Sequence, residues 1–508
     1  MVLLMLDSTT INGKLNNLYL EMPKNKYSNM TYTRKRNLLL SLISLCFVSA
    51  YTQEHNVSAG YHQPTDPTVL ENLETWQDLK FGLFMHWGTY SQWGIVESWS
   101  LCPEDEGWTQ RKPEHGETYF EYVQHYENLQ KTFNPVDFNP KKWADAAKAA
   151  GMKYVVFTTK HHDGFAMFDT KESDYKITSP NTPFSKNPKA DVTKEIFSTF
   201  RSEGFKIGAY FSKPDWHTEY YWWPYFPPKD RNVNYDPLKY PERWEKFKTY
   251  TFNQINELTS NYGKVDILWL DGGWVRPFKT IDQDVEWQRT IKVEQDIDMD
   301  KIGTMARKNQ PGIIVVDRTV PGEWENYVTP EQAIPEHPLD IPWESCITMG
   351  NSFSYVPNDN YKPTKEIIET LVKIISRGGN YLMNIAPGPN GDFDQTAYDR
   401  LKELSTWVAV NESAIYATRA VAPYHEGDYY YTRSKDHKSL NVFHLSVGDD
   451  YQHPTEFQFT LPENFNVKDV KVLGYNGKVK WTRDNNTIRV KTPKNNTKYA
   501  SVLQLTAN

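Results

Sequence analysis

Short apolar runs alternate with amphipathic stretches between about residue 75 and residue 415 of this 508-residue chain. A short apolar run bounded by turn residues predicts a buried strand, and apolar residues that recur every three or four positions predict a helix packed on one face. The predicted strands are Lys80–Trp87, Tyr154–Lys160, Lys206–Ser212, Val265–Leu270, Ile313–Asp317 and Tyr381–Ile385. The predicted helices are Trp143–Ala150, Val192–Ser202, Glu242–Leu258, Met299–Lys308, Thr364–Ser376 and Asp394–Asn411.

This alternation of strand and helix predicts a parallel sheet in an α/β fold. Gly151 and Gly204 follow predicted helices at the position where glycine most often ends a helix. Repeated units with long connections favour a (β/α)8-like barrel, in which the active site lies on the loops that follow the strands. A doubly wound open sheet is the alternative. Residues 320–350 show no clear strand–helix pattern, so the number of strands stays open.

The pattern changes beyond about residue 416, where helical periodicity stops. Short runs separated by Gly, Pro, Asn and Asp predict a small antiparallel β-sandwich. The runs are Tyr429–Thr432, Leu440–Leu445, Glu456–Leu461, Val467–Leu473 and Ser501–Leu505. We therefore expect an N-terminal extension with a signal peptide over 1–50, the barrel over 51–417 and the sandwich over 418–508.

The N-terminal region has the pattern of a secretory signal. Arg34-Lys35-Arg36 precedes the apolar run Leu38–Val48, and Val48-Ser49-Ala50 has the small residues of a cleavage site. The run is short for a bilayer-spanning helix, and a membrane anchor is the alternative. We expect a secreted or periplasmic protein with no membrane span in the mature chain, and translation from Met1 and from Met30 are both open.

Composition and charge narrow the class of protein. A net charge of −7 without a basic tail argues against nucleic-acid binding, because binding phosphates needs a basic surface. Aromatic residues make up 14% of the chain, which suits either a large core or a surface that binds sugar rings. The sequence has no zinc-ligand cluster and no phosphate-binding glycine motif, so we expect no cofactor. Only Cys102 and Cys346 follow the signal region, and whether they pair is open.

Five of the predicted strands end in residues that can carry chemistry. The strand ends hold His86, His161-His162-Asp163, Asp215 with His217, Asp271 and Arg318. Each residue alone has a structural explanation, such as a turn at Asp271 or an ion pair at Arg318. The repetition favours an active site, because the carboxyl ends of parallel strands meet at one rim of a barrel.

Glycoside hydrolysis is the chemistry that this rim suggests. It needs two carboxyl groups, which a retaining enzyme holds ~5–5.5 Å apart. The vicinal residues His161 and His162 can bind sugar hydroxyls or a metal ion. Successive residues of a strand point in opposite directions, and the sequence shows no further ligands, so we expect no metal site.

The chain resembles glycoside hydrolase family 29, the α-L-fucosidases, from about Trp76 to Tyr416. The similar segments are 76–88 (WQDLKFGLFMHWG), 160–165 (KHHDGF), 268–274 (LWLDGGW), 342–346 (PWESC) and 378–385 (GGNYLMNI). Several segments in one order are far more specific than any single motif. The resemblance implies a retaining α-L-fucosidase that removes terminal fucose from a fucosylated oligosaccharide or glycoconjugate.

The resemblance also implies roles for individual residues. Asp271 matches the nucleophile of the family. Other positions match the fucose pocket, and two match its aromatic walls less closely. The pocket positions are His86, His161, His162, Tyr210 and Arg318, and the wall positions are Trp99 and Phe353. An apolar wall suits the C5 methyl group of fucose, but residues 351–355 depart from the family pattern there.

The acid/base residue lies on a variable loop in this family, and two candidates are open. Glu331 is the first choice, because relatives carry the acid/base in a segment similar to Thr329-Pro330-Glu331. Glu344 is the alternative, and both glutamates also have structural explanations. The aromatic segment 220–226 is either a platform for the rest of the glycan or a loop packed on the barrel.

Two other functions compete with the fucosidase interpretation. One is a fucose-binding or carbohydrate-binding protein that has lost catalysis, and the presence of Asp271 argues against it. The other is a barrel glycosidase for another sugar, such as an α-galactoside. The sequence leaves open the fucosyl linkage, the group attached to fucose and the oligomeric state.

Overall fold

A computed structural model describes residues 60–448, 450–462, 465–493 and 497–507. The described chain as far as Ile415 holds a seven-stranded parallel sheet with helices outside it. The strands are β1 Phe81–Met85, β2 Tyr154–Lys160, β3 Lys206–Ser212, β4 Ile267–Asp271, β5 Ile314–Asp317, β6 Glu344–Thr348 and β7 Asn380–Asn384. The helices are α1 Pro67–Leu79, α2 Glu106–Thr109, α3 Tyr119–Glu127, α4 Pro140–Ala149, α5 Val192–Ser202, α6 Pro241–Asn261, α7 Met299–Asn309, α8 Thr364–Ser376 and α9 Gln395–Ile415. The predicted signal region lies outside the described residues.

The sheet closes into a barrel. Its strand order is β5-β4-β3-β2-β1-β7-β6, so β7, the last strand of this sheet along the chain, lies beside β1. An irregular stretch, 325–332, fills the remaining gap between β5 and β6, and we call it the closing segment. The Asn326 amide donates to the Val315 carbonyl, and the Glu344 amide donates to the Val328 carbonyl, both at 2.9 Å. The predicted (β/α)8-like barrel is confirmed, and the doubly wound alternative is wrong.

Alternation along the strands decides which side chains point to the barrel axis. Phe84 and Trp269 belong to the inner core cluster, whereas the residues on either side of them pack outward against the helices. Residues two positions further along therefore point inward as well, at the carboxyl ends of the strands. His86 follows Phe84 in this way, and Asp271 follows Trp269, so both reach the mouth of the barrel.

Two of the helices outside the barrel end just before the glycines that the sequence analysis placed after them. α4 and α5 are followed by Gly151 and Gly204, whose φ angles are 89° and 92°. Such angles strain most L-residues but not glycine. The chain therefore turns sharply after each helix and enters the next strand of the barrel.

Beyond α9, the regular elements of the described residues are all β-strands. They are β8 Thr418–Glu426, β9 Tyr429–Ser434, β10 Ser439–His444, β11 Glu456–Thr460, β12 Val467–Val472, β13 Trp481–Asp484, β14 Thr487–Lys491 and β15 Ser501–Ala507. A five-stranded sheet in the order β12-β15-β10-β9-β8 and a three-stranded sheet in the order β11-β14-β13 enclose one apolar core. The predicted sandwich is confirmed. Within the described ranges, no helix has the length and apolar character needed to cross a membrane.

Candidate active site

Asp271 is the last residue of β4 and lies at the mouth of the barrel. Its Oδ2 accepts a hydrogen bond from Tyr210 Oη at 2.7 Å. Its Oδ1 accepts from Arg318 Nη1 at 2.9 Å and from the Gly272 amide at 2.7 Å. Burial raises the pKa of this carboxyl, but the charge of Arg318 and the hydrogen bonds from Tyr210 and Gly272 outweigh burial and hold the pKa well below its usual range. Asp271 is therefore ionised at neutral pH.

One guanidinium joins Asp271 to a second carboxylate. Arg318 follows β5 directly and donates from Nη2 to Glu331, which lies in the closing segment. Its Nε donates to Thr329 Oγ1 at 3.3 Å, and its Cζ lies 5.0 Å from the centroid of the Trp269 ring. Because the guanidinium nitrogens form a rigid planar fork, the two carboxylates are held around one point at the mouth.

Three histidines line the same pocket in uncharged form. The partners of their Nδ1 atoms are Asn384 for His86 (2.8 Å), Ser98 for His161 and Ser212 for His162 (2.5 Å). Burial lowers the pKa of His86 to about 4 and that of His162 to about 3, and it holds the pKa of His161 well below the usual value. A neutral imidazole can donate or accept a hydrogen bond, so these rings suit sugar hydroxyls.

The two vicinal histidines both face Asp271, which contradicts the expectation that they diverge. The centroids of the His161 and His162 rings are 4.2 Å apart. The reason is that β2 ends at Lys160, and both histidines lie in the loop after it. With Asp271 they bring three potential metal-ligand atoms within 4.8 Å of one another. The positive charge of Arg318 on the same carboxylate opposes a cation at this position.

Trp99 and Phe353 form aromatic walls of the pocket. The centroids of Trp99 and His162 are 5.0 Å apart in an edge-to-face arrangement. Phe353 packs against His86 at 4.9 Å, and its carbonyl accepts a hydrogen bond from Asn384 Nδ2 at 2.7 Å. The structure therefore brings both predicted wall residues to the site, including the one in the segment that departs from the family pattern.

A buried glutamate that the sequence analysis missed also belongs to this region. Glu97 is 4% exposed, and its Oε1 has no hydrogen-bond partner among the described residues. Burial raises the pKa of Glu97 to about 8, and the nearby carboxylates of Glu331 and Asp271 add to the increase. Glu97 lies two residues before Trp99 in an irregular stretch, so no strand pattern pointed to it. A neutral carboxyl there can donate a hydrogen bond to a ligand.

Glu344, the alternative acid/base, lies at the opposite end of the barrel interior. It begins β6 and is fully buried. Its carboxyl accepts hydrogen bonds from Tyr154 Oη (2.6 Å), Trp269 Nε1 (3.2 Å) and Tyr327 Oη (3.2 Å). Tyr154 is the first residue of β2, whereas Asp271 is the last residue of β4. The structure groups Asp271 with Glu331, and it places Glu344 away from both.

The structure also describes two features that the sequence left open. In the aromatic segment 220–226, Tyr221 and Trp222 are buried and Trp222 stacks on Trp216 at 5.0 Å, whereas Tyr225 is exposed. The two cysteines that follow the signal region, Cys102 and Cys346, are separate buried thiols. Neither feature contributes a group to the cluster around Asp271.

The fold and the cluster define a class of protein. The mouth of this parallel barrel holds an ionised aspartate beside a glutamate, and neutral hydrogen-bonding groups and aromatic walls surround them. This is the arrangement of a glycoside hydrolase. The α-L-fucosidase family model matches residues 48–413, which is more than half of the chain. The chain therefore belongs to the α-L-fucosidase family, and the predicted class of enzyme is confirmed.

Relatives are similar along nearly the whole chain. Human plasma α-L-fucosidase is 27% identical over 458 residues, which cover 86% of this chain and 89% of the relative. The solved structure of α-L-fucosidase isoenzyme 1 from Paenibacillus thiaminolyticus has a TM-score of 0.69 at 28% identity and covers 87% of this chain and 100% of its own. A Bacteroides thetaiotaomicron α-L-fucosidase, trapped as a covalent intermediate with 2-fluoro-fucosyl fluoride, has the same fold with a TM-score of 0.68 at 22% identity. The match covers 90% of this chain and 99% of that structure.

Proposed function

We propose that this protein removes terminal α-L-fucose from glycans by a retaining mechanism, with Asp271 as nucleophile and Glu331 as acid/base. The observation that carries the proposal is the contact of one Arg318 guanidinium with both carboxylates. This contact directs the two groups toward one point, as a double displacement requires. It also keeps Asp271 ionised, which is the state in which a carboxylate attacks carbon.

The first step forms a covalent intermediate. Asp271 attacks C1 of the bound fucose while protonated Glu331 gives its proton to the glycosidic oxygen. The bond between C1 and that oxygen breaks, and the rest of the glycan leaves as an alcohol. The product on the enzyme is an ester between fucose and Asp271, with the configuration at C1 inverted.

The second step releases fucose. Glu331, now ionised, takes a proton from water, and the water oxygen attacks C1. The ester bond breaks, Asp271 leaves as a carboxylate, and Glu331 is protonated again. The second inversion restores the α configuration, so the overall result is retention.

Glu331 needs a proton before the first step and must lose it before the second. In the structure Glu331 is paired with Arg318, and in its ionised form it can activate water. We infer that bound substrate displaces this contact, so that the carboxyl turns to the leaving oxygen. Glu344 does not fit this role, because it lies at the opposite end of the barrel interior.

Recognition of fucose follows from the neutral groups around Asp271. The Nε2 atoms of the three histidines and the carboxyl of Glu97 are proposed to bind sugar hydroxyls. Trp99 and Phe353 are proposed to contact the apolar face and the C5 methyl group. A site that hydrogen-bonds specific hydroxyls rejects analogues that lack them, because its buried polar groups are then left unpaired.

The test is release of nitrophenol from 4-nitrophenyl α-L-fucoside by the full chain and by Asp271→Gly. We expect turnover by the wild type, loss of turnover in the variant, and partial recovery with azide, which forms β-L-fucosyl azide by a single inversion. The α-galactoside with the same leaving group serves as the control substrate and should react far more slowly. Equal activity of the two proteins would rule out Asp271 as the nucleophile.

We also propose that the enzyme acts outside the cytoplasm, on fucosylated glycans that it meets after export. The support is the order of basic residues, apolar run and small residues over 34–50. N-terminal sequencing of protein recovered from the medium or periplasm tests this. A chain that begins at Tyr51 supports cleavage after Ala50, and a recovered chain that still contains Leu38–Val48 contradicts it.

A further inference from the structure

Glu344 is a fully buried carboxyl that the proposed reaction does not use. Removing such a group from water is costly unless hydrogen bonds compensate. Here three side-chain donors surround it, and none of them carries a charge. Two of the three, Trp269 and Tyr327, bind the same oxygen, Oε1. Trp269 connects Glu344 to the surroundings of Asp271, and Tyr327 connects it to the segment that carries Glu331.

The first connection runs through Trp269 to Asp271. The Trp269 ring stacks on Tyr210, with the centroids 5.3 Å apart and the planes 23° from parallel. Arg318 Cζ lies 5.0 Å from the Trp269 ring centroid. Tyr210 and Arg318 are the two side chains that donate hydrogen bonds to Asp271. The indole held by Glu344 therefore supports both of these donors.

The second connection runs through Tyr327 to Glu331. Both residues belong to the closing segment, four positions apart. The Glu344 amide donates to the Val328 carbonyl at 2.9 Å, so Glu344 binds this segment through its backbone as well as through its side chain. Tyr327 also stacks on Trp76 at 4.0 Å, with the planes 13° from parallel. The start of the stretch that carries Glu331 is thus fixed at three points.

We propose that Glu344 is a positioning residue for the hydrolysis, which aligns Asp271 and Glu331 from the opposite end of the barrel by binding Trp269 and Tyr327 through one oxygen. The inference rests on the proposed function of those two carboxylates. Its physical basis is that catalysis is sensitive to small displacements, and a shift of ~1 Å far from the chemistry can lower a rate about 100-fold. A purely structural role would instead change how many molecules fold, without changing the rate of each active site.

The test compares Glu344→Leu with the matched control Glu344→Gln. Leucine is similar in size but accepts no hydrogen bond, whereas glutamine keeps an oxygen for Trp269 and Tyr327. Active sites are counted by covalent labelling with 2-fluoro-fucosyl fluoride and mass spectrometry, and rates are measured with 4-nitrophenyl α-L-fucoside. We expect kcat per labelled site to fall about 10- to 100-fold in Glu344→Leu. In the same variant KM should change less than about threefold, because ground-state binding is retained.

Rescue by the control is the second expected result. Glu344→Gln should keep at least about one third of the wild-type kcat per labelled site, since a neutral acceptor of the same shape satisfies both donors. A wild-type rate per site in Glu344→Leu, even with a lower thermal midpoint, would overturn the positioning role. Loss of rate in Glu344→Gln as large as in Glu344→Leu would also overturn it, because the hydrogen-bond acceptor would then be irrelevant.

Two further variants keep the test decisive if Glu344→Leu does not fold. Trp269→Phe and Tyr327→Phe each remove one donor and keep an aromatic ring. Tyr327→Phe should slow an alkyl α-L-fucoside more than the nitrophenyl fucoside, because only the poor leaving group depends strongly on the acid. Trp269→Phe should slow both substrates alike. Wild-type rates per site in both variants would contradict the inference, whereas a wild-type protein that cleaves neither substrate would refute the proposed function itself.

Discussion

The mouth of the barrel interior holds a partly buried carboxyl and the opposite end a fully buried one, and the two behave in opposite ways. Asp271 and Glu344 each accept three hydrogen bonds. One donor to Asp271 is the cation Arg318, and the pKa of Asp271 lies well below its usual range. The donors to Glu344 are neutral, and burial raises its pKa to about 7. The charge of the partner, more than the number of hydrogen bonds, therefore sets the protonation state in these desolvated sites.

Charge also distinguishes the surroundings of the two carboxyls. Behind the mouth, Lys213 and Asp317 form a buried ion pair at 2.5 Å, directly before Arg318 in the chain. The Lys213 amide also donates to the carbonyl of Asp271 at 2.9 Å. Glu344 instead lies among aromatic rings. The mouth thus combines fixed charges that stabilise an ionised nucleophile, while the opposite end is held by neutral hydrogen bonds and packing.

The largest expected difference in activity is between two variants, each of which replaces one of the two carboxyls with an amide. Asp271→Asn should lower kcat/KM by about 10³-fold or more, because a group that acts in the transition state is lost. Glu344→Gln should change it by less than about threefold, because an acceptor remains in place. Steady-state kinetics with 4-nitrophenyl α-L-fucoside measure both, with circular dichroism as the control for folding. Equal losses at the two positions would contradict the distinction between mouth and opposite end.

A smaller effect is expected when the cation is removed and the carboxyl kept. Arg318→Met should raise the pKa of Asp271, because burial is then less opposed. We expect kcat/KM to fall about 10²-fold at neutral pH, and the acidic limb of the pH profile to move to higher pH. Arg318→Lys keeps the positive charge but loses the planar guanidinium, so its kcat/KM should lie between those of the wild type and Arg318→Met. A pH profile of kcat/KM for all three proteins checks this, and an unmoved acidic limb would contradict it.

The protonation of Glu344 should be detectable in the pH dependence of the free energy of unfolding. The folded pKa of Glu344, about 7, lies above the unfolded value for a glutamate. The stabilisation from binding the proton is therefore complete below the unfolded pKa of ~4.3 and is lost as the pH rises from there to about 7. Relative to Glu344→Gln, the wild type should lose up to ~1.4 kcal/mol per pH unit in this window. Denaturant unfolding at several pH values measures the difference, and parallel curves would contradict it.

The sequence predicted the mouth better than the opposite end, and the reason is periodicity. Asp271 ends an apolar strand and Arg318 directly follows one, so the strand pattern alone placed them at the rim. β6 was missed because it begins with Glu344 and Ser345, which are buried but polar. Glu97 lies in an irregular stretch without any repeat. Residues placed by regular secondary structure were predictable, and those placed by tertiary hydrogen bonds were not.

The smallest expected effects come from a matched pair of tyrosines, one at each carboxyl. Tyr210→Phe removes the donor to Asp271 Oδ2 and should lower kcat about tenfold, since a hydrogen bond to a charged group is worth ~1.5–3 kcal/mol. Tyr154→Phe removes the donor to Glu344 Oε2, whereas Trp269 and Tyr327 bind the other oxygen. It should therefore cost about 1–3 kcal/mol of unfolding free energy.

The two variants should separate rate from stability. Because Oε1 and its two partners stay in place, Tyr154→Phe should change kcat per labelled site by less than about twofold. Tyr210→Phe leaves Asp271 with Arg318 and Gly272 and should unfold close to the wild-type denaturant midpoint. Kinetics per labelled site and urea unfolding on both proteins make the comparison. A large loss of rate in Tyr154→Phe would mean that Oε2 as well as Oε1 takes part in alignment, and that the whole Glu344 carboxyl is coupled to the mouth.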